Sequence, residues 1–161
     1  MTRTRTISWG DPQAAAAAAA TLPGLDALHA IIAGKISAPP IAELVGFTIT
    51  AAAPGLVTME LPIGEYHYNP IGSVHGGIAA TLLDSVMGCA IHTMLPQGRA
   101  YSTLELKISY IRAVTLATGA VTATGRVINV GRKAAFAEAT LTDSSGKLYA
   151  TGSTTCAVWD T

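Results

Sequence analysis

The chain has 161 residues, a length typical of one domain whose core folds without disulfides or metal. Half of the residues are hydrophobic and only 12% are charged, which favours a protein that hides surface against further copies of itself. Ten basic and ten acidic side chains cancel. This balance excludes the broad positive field that attracts nucleic acid or an anionic membrane, so we expect neither partner.

The two cysteines, Cys89 and Cys156, are too few for a disulfide framework and do not have metal-ligand spacing. A reduced, cytoplasmic protein is the simplest interpretation. Cys89 and His92 share one face of a predicted helix, but no third ligand is evident. We therefore expect no metal. No apolar stretch reaches the length that crosses a membrane.

Residues 1–40 are interpreted as an N-terminal helical extension. Asp11-Pro12 is typical of a helix start, and the alanines from Ala14 to Ala20 continue that helix. Basic residues before the alanines resemble the start of a secretory leader, but the flanking prolines and weakly hydrophobic alanine favour a helix. A second short helix is predicted from about Leu25 to Ala33, and Pro39-Pro40 closes the extension.

Residues 41–161 are predicted to form one α+β domain that begins with a β-hairpin. Its strands, Phe47–Ala53 and Leu56–Pro62, flank the turn dipeptide Pro54-Gly55. The apolar stretch Gly76–Met94 follows; it is too long for a strand, so it predicts a helix. Because its apolar residues fall on nearly all faces, we expect the surrounding structure to bury it.

Strand patterns fill the remainder of the chain. Short turns between them predict an antiparallel meander around the helix. The predicted strands are Ala100–Ala113, Gly119–Val130, Lys133–Thr142 and Leu148–Val158.

Asp84 is the only formally charged residue on the apolar helix. A carboxylate is costly to bury without partners, so its presence there indicates a functional group. The alternative is an acid on a narrow solvated stripe, or one bonded to the neighbouring Ser85 or Thr81.

The start of the same helix reads His75-Gly76-Gly77. The first N–H groups of a helix have no partner inside it, and glycines let a substrate oxygen approach them closely. The helix dipole favours negative charge at this end, so the motif can form an oxyanion hole. The alternative is that the glycines only permit a sharp entry into the helix.

The run Asn69-Pro70-Ile71-Gly72-Ser73-Val74-His75-Gly76-Gly77, followed by Asp84, resembles the hotdog-fold acyl-CoA thioesterase superfamily. Within it, the run is similar to the PaaI-type (phenylacetic acid degradation) subgroup and to the 4-hydroxybenzoyl-CoA thioesterases. The resemblance covers roughly residues 41–158. It implies a hotdog fold, an antiparallel sheet wrapped around a long helix. It also implies homodimers or homotetramers that hydrolyse acyl-CoA, with coenzyme A as part of the substrate and no separate cofactor.

The resemblance also implies roles for individual residues. Asp84 would be the nucleophile or general base, and the Gly76 N–H would polarise the thioester carbonyl. Asn69 would orient the carbonyl or the attacking water, and His75 would hold Asn69 and its loop in place. Ser102, eighteen residues after Asp84, matches a hydroxyl that positions water.

The helix geometry adds an inference of its own. Gly76 and Asp84 are eight residues apart, which is about 12 Å along a helix axis. One chain therefore cannot bring both groups to the same thioester. Two copies with antiparallel helices can, so we expect the active site at a dimer interface, twice per dimer.

Further residues are candidates for binding the substrate. Cations are needed to bind the coenzyme A phosphates. Many relatives have a proline directly after the arginine that corresponds to Arg112, whereas this chain has Ala113 there. Solvated surface cations are the alternative. The cationic candidates are Arg112, Arg132 and Lys133. Gly77, at the helix start, is a further candidate for contact with the substrate. The predicted lining of an acyl pocket consists of His67, Tyr68, Leu83 and Met87.

The sequence leaves two other functions open. A hotdog enoyl-CoA hydratase is expected to carry an acid shortly before the histidine, and residues 70–74 contain none. A non-catalytic acyl-CoA-binding or regulatory module would retain the fold without turnover. Aryl, hydroxybenzoyl and medium-chain acyl groups all fit the pattern.

Overall fold

Three helices precede the sheet in the computed structural model, which describes residues 1–161. They are α1 (Pro12–Ala20), α2 (Gly24–Ile32) and α3 (Pro40–Val45). The Asp11 side chain caps α1 by accepting hydrogen bonds from the next backbone N–H groups at 2.8 and 3.4 Å. The first two helices are confirmed, whereas α3 was not predicted. Its leading proline was interpreted as a boundary, although proline is well tolerated at the first position of a helix.

Six strands and one long helix form the body of the molecule. The helix α4 (Gly76–His92) confirms the prediction, and the strands match the predicted ones with their ends shifted by a few residues. The strands are β1 (Thr48–Ala53), β2 (Leu56–Pro62), β3 (Arg99–Tyr110), β4 (Ala120–Val130), β5 (Ala134–Asp143) and β6 (Leu148–Asp160).

The strands form one antiparallel sheet in the order β1-β2-β4-β5-β6-β3. The predicted meander is therefore wrong for β3, which lies at the sheet edge against β6, with Arg99 paired to Asp160 and Tyr110 to Ala150. The reason is the connection through α4, which is long enough to carry the chain across the whole sheet. One edge of β3 has no strand beside it.

The sheet curves around α4 but covers only part of it. The sheet-facing side of α4 is fully buried, and its large side chains are Leu82, Leu83, Val86, Met87 and Ile91. The opposite side, with Thr81, Asp84, Ser85 and Cys89, is half-buried. The prediction that the surrounding structure buries the helix is therefore confirmed on the sheet-facing side, whereas the opposite side is only partly covered in a single chain.

Gly125, in the middle of β4, lies directly under the helix. A Cβ added there would lie 2.6 Å from the Val86 carbonyl oxygen, closer than unbonded atoms approach. Only a residue without a side chain lets α4 sit this close to the sheet.

The N-terminal extension packs against this body. Leu28 of α2 is 3% exposed and belongs to the same hydrophobic core as Ala42 and Phe47. The predicted boundary at residue 40 stays a prediction. No helix of the structure has the length and hydropathy needed to cross a membrane.

Candidate active site

Asp84 lies on the half-buried side of α4, opposite the start of β3. The Thr103 hydroxyl donates a hydrogen bond to Asp84 Oδ1 at 2.9 Å, and Oδ2 has no partner within the chain. The two bonded alternatives from the sequence do not apply, because Thr81 donates instead to the Gly77 carbonyl at 2.8 Å, and Ser85 makes no bond to the acid. A carboxylate with one oxygen held and the other free is oriented for chemistry at the free oxygen.

Ser102, the hydroxyl proposed from the sequence, is exposed and lies on the other face of β3 from Asp84. That prediction was wrong by one position. Successive side chains of a strand point to opposite faces, so a slip of one residue exchanges the two faces. In the structure, half-buried Tyr101 and Thr103 alternate with exposed Ser102, which places Thr103 on the face of α4.

The start of α4 offers one free backbone donor. His75 Nδ1 accepts a hydrogen bond from the Gly77 N–H at 2.8 Å and so caps the helix. The Gly77 N–H is therefore engaged within the chain, and its predicted contact with substrate stays a prediction. The Gly76 N–H has no acceptor within the chain, and the Tyr110 hydroxyl holds the Gly76 carbonyl at 2.9 Å.

Asn69 closes its own loop. Its Nδ2 donates to the Ser73 hydroxyl at 3.1 Å, and its Oδ1 accepts from the backbone N–H groups of Ile71 and Ser73 at 3.0 and 3.2 Å. His75 was predicted to hold Asn69 and its loop: Asn69 is held by Ser73 instead, whereas the His75 backbone N–H closes the loop by donating to the His67 carbonyl at 2.8 Å.

A cavity of about 680 Å³ opens beside Asp84. One side is formed by α4 and β3, with Ser85, Cys89, Tyr101 and Thr103 next to the acid. The other side consists of residues of α2, α3, β1, β2 and the segments between them: Leu28, Ile31, Ile32, Ala38, Pro39, Ile41, Ala42, Glu43, Gly46, Phe47, Thr48, Ile49 and Met59.

Two other titratable groups of this cavity are neutral at physiological pH. Burial of the thiol, and then the charge of Asp84, raise the pKa of Cys89 to about 12. Burial also raises the pKa of Tyr101 well above its usual value. Neither a thiolate nor a phenolate is therefore available as the reacting group, so the candidate on this side of the cavity is the carboxyl group of Asp84.

None of the four residues predicted to line an acyl pocket lies in this cavity. Leu83 and Met87 are fully buried between α4 and the sheet. His67 is buried: its Nε2–H donates to the Val45 carbonyl at 2.7 Å and its Nδ1 accepts from the Gly64 N–H at 3.1 Å. Burial lowers the pKa of His67, so it is a neutral structural group. The Tyr68 hydroxyl accepts a bond from the Leu116 N–H at 2.8 Å.

A second cavity, of about 300 Å³, lies beside the start of α4. It is lined by His75, Gly76 and Tyr110 together with Arg112, whose guanidinium also donates to the Leu148 carbonyl at 2.5 Å. It shares no residue with the cavity beside Asp84. Within one chain, the free N–H of Gly76 and the carboxylate of Asp84 thus face separate spaces.

The predicted phosphate-binding cations are divided between the two ends of the sheet. Arg112 follows the end of β3, whereas Arg132 and Lys133 are exposed in the turn between β4 and β5. That turn lies near the beginning of β3, because Arg99 donates to the Arg132 carbonyl. The length of β3, about 37 Å, therefore separates the two groups within one chain. No three His, Cys, Asp or Glu side chains lie together as a metal site.

The chain is similar in sequence to known thioesterases. The Thioesterase superfamily model matches residues 71–150, which include the helix start, Asp84 and Thr103. Human acyl-coenzyme A thioesterase 13 is 35% identical over 106 residues, which cover 65% of this chain and 74% of that protein.

Solved structures show the same architecture. Zebrafish thioesterase superfamily member 2 superposes with a TM-score of 0.63 at 34% identity, covering 69% of this chain and 80% of that one. A phenylacetic acid degradation-related protein from Ralstonia eutropha superposes with a TM-score of 0.73 at 27% identity, covering 81% and 98%. The chain therefore belongs to the thioesterase superfamily and has the hotdog fold, a six-stranded sheet wrapped around α4.

Proposed function

We propose that this protein hydrolyses acyl-CoA thioesters to a free acid and coenzyme A, with Asp84 as the reacting carboxylate. The observation that carries the proposal is the Asp84–Thr103 pair at an apolar cavity, in which one carboxylate oxygen is held and the other is free. The similarity of the chain to human acyl-coenzyme A thioesterase 13 supports acyl-CoA as the class of thioester that is cleaved.

The free oxygen of Asp84 can act in two ways. As a general base it takes a proton from water; the water oxygen attacks the carbonyl carbon, the C–S bond breaks, and the proton passes to the departing thiolate. As a nucleophile it displaces the thiolate itself and forms a mixed anhydride, which water then cleaves. Both routes give the same products. In each, the oxyanion that forms needs a hydrogen-bond donor, which is the Gly76 N–H.

A homodimer joined through β3 would bring these groups together. The open edge of β3 can pair with its copy across a two-fold axis, and Leu104, which is 68% exposed, lies on that strand. Gly76 lies beside the end of β3 and Asp84 beside its beginning. An axis midway between them, near Leu106, places the Gly76 of each chain next to the Asp84 of the other.

The same axis also relates the separated cations. In such a dimer the two β3 strands are antiparallel, so Arg112 of one chain lies at the end of the joined sheet that carries Arg132 and Lys133 of the other. Together they would form a site for the coenzyme A phosphates, which no single chain provides.

Release of free thiol from acyl-CoA by the purified protein is the direct test of the proposed activity. We expect coenzyme A and free acid to appear in equal amounts, and hydration of an enoyl-CoA to be slower than cleavage of the same thioester. Saturable binding of acyl-CoA without thiol release over hours would contradict the proposal and favour a binding module. Faster hydration would favour the hydratase.

Thr103 is proposed to position the reacting carboxylate, so Thr103→Val should lower kcat about tenfold or more while leaving KM nearly unchanged. The side chains have similar shape, and the change removes a hydrogen bond to a charged group. Thr103→Ser should restore most of the turnover. The matched control is Ser102→Ala, on the other face of the strand, which should remain fully active. Steady-state kinetics of the three variants check this, and equal losses in Thr103→Val and Ser102→Ala would contradict the assignment.

A further inference from the structure

The two sides of the cavity beside Asp84 differ in polarity. Polar side chains occupy the side formed by α4 and β3, namely Asp84, Ser85, Tyr101 and Thr103. The deepest residues of the other side are aliphatic or aromatic and at most 5% exposed: Leu28, Ala42, Phe47 and Met59. The polar residues of that side, Glu43 and Thr48, are exposed at its rim.

We propose that this cavity binds the acyl group of the substrate and that α2 and α3 form the wall that selects acyl groups with an apolar far end. The inference rests on the proposed function, because it places the thioester carbonyl at Asp84. From there the cavity extends to the apolar wall formed by Leu28, Ala42 and Phe47. An aliphatic chain fits that surface because it needs no hydrogen-bond partner there.

The chemistry of the wall gives two quantitative expectations. Each methylene that the wall buries should raise kcat/KM about fourfold, until the chain fills the cavity. A hydroxyl at the far end of the acyl group would lose its water without gaining a partner, so it should lower kcat/KM by about tenfold to a hundredfold. Hydroxylated aryl groups are therefore disfavoured relative to their unsubstituted counterparts.

The wall belongs to a part of the chain that the family model does not include. That match begins at residue 71, whereas α2, α3 and β1 lie within residues 24–53. The reacting groups therefore come from the matched segment and the selecting surface from the segment before it. Substitutions in α2 should change which acyl chain is preferred without changing the chemistry of cleavage.

Ile31 is the position for a test, since it lines the cavity from α2 and is only partly buried. We would measure kcat/KM for straight-chain acyl-CoAs of increasing length, and for phenylacetyl-CoA against 4-hydroxyphenylacetyl-CoA. Ile31→Trp fills the cavity, so the rise of kcat/KM with acyl-chain length should end at a shorter chain. The ratio of kcat/KM for a long-chain acyl-CoA to that for butyryl-CoA should therefore fall about tenfold or more. Ile31→Ala enlarges the cavity and should extend the rise to longer chains. The control is Ala33→Trp, at the exposed end of the same helix, which should keep the wild-type profile.

The outcomes separate the two proposals. If the wild-type protein releases no thiol from any acyl-CoA, the proposed function fails. If it is active but Ile31→Trp and Ile31→Ala both retain the wild-type length profile, or if the hydroxylated aryl thioester is cleaved as fast as the unsubstituted one, the acyl site is elsewhere and this inference fails. Thermal melting shows whether each variant folds. If Ile31→Trp does not fold, the length profile of Ile31→Ala alone tests the inference.

Discussion

Asp84→Asn is expected to lower kcat for acyl-CoA hydrolysis by about a thousandfold or more. The asparagine oxygen can still accept the hydrogen bond from Thr103, so the fold and the orientation of the side chain are retained. The amide, however, neither takes a proton from water nor attacks a carbonyl, so both routes of cleavage are lost. Single-turnover and steady-state rates of thiol release measure the loss.

A control for Asp84→Asn is Asp26→Asn, which removes an exposed acid of α2 that does not line the cavity. It should retain wild-type turnover. The melting temperatures of both variants should stay within a few degrees of the wild type. Turnover by Asp84→Asn above about a tenth of the wild-type rate would show that the carboxylate is not the reacting group.

The second large effect is expected from Gly76→Pro, which removes the free N–H at the start of α4. Proline is well tolerated at the first position of a helix, but without its N–H the oxyanion loses its donor, so kcat should fall about a hundredfold or more. Gly76→Ala is the matched control: it adds the same Cβ, 3.1 Å from the Tyr110 ring, and keeps the N–H. It should lose far less activity than Gly76→Pro.

Mixed dimers of the two inactive proteins test whether each site combines two chains. In a dimer of Asp84→Asn with Gly76→Pro, one site has both changes and the other has an intact Gly76 and an intact Asp84. After denaturation and joint refolding, half of the dimers are mixed, so the mixture should regain about a quarter of the wild-type activity. Each variant refolded alone should stay inactive. A mixture no more active than the average of its components would mean that each site belongs to one chain.

The central helix and its acid were accessible from the sequence because both depend on local patterns. A long apolar run between a glycine pair and a proline predicts a helix, and a lone charge on it is conspicuous. The face of a strand on which a side chain lies is harder to predict, because it depends on where the strand begins. The hydroxyl was therefore placed at Ser102 instead of Thr103, one residue from its partner.

The acyl pocket could not be predicted for a different reason. Leu83 and Met87 are close to Asp84 along the helix, but they point into the sheet. The wall that faces Asp84 instead consists of residues such as Leu28 and Phe47, more than thirty positions earlier. The edge position of β3 is likewise a property of long-range packing. Hydrophobic periodicity identifies elements but does not determine which distant elements meet.

Gly125 sets the height at which α4 rests on the sheet. Even a methyl group at that position would collide with the peptide of Val86, two residues after Asp84, and would raise or tilt the helix. Thr103 belongs to the sheet and would stay behind, so acid and hydroxyl would separate. The alignment of the reacting group thus depends on an empty space beneath the helix. A search for inactive but folded variants would be expected to find substitutions at this glycine, far from any atom of the thioester.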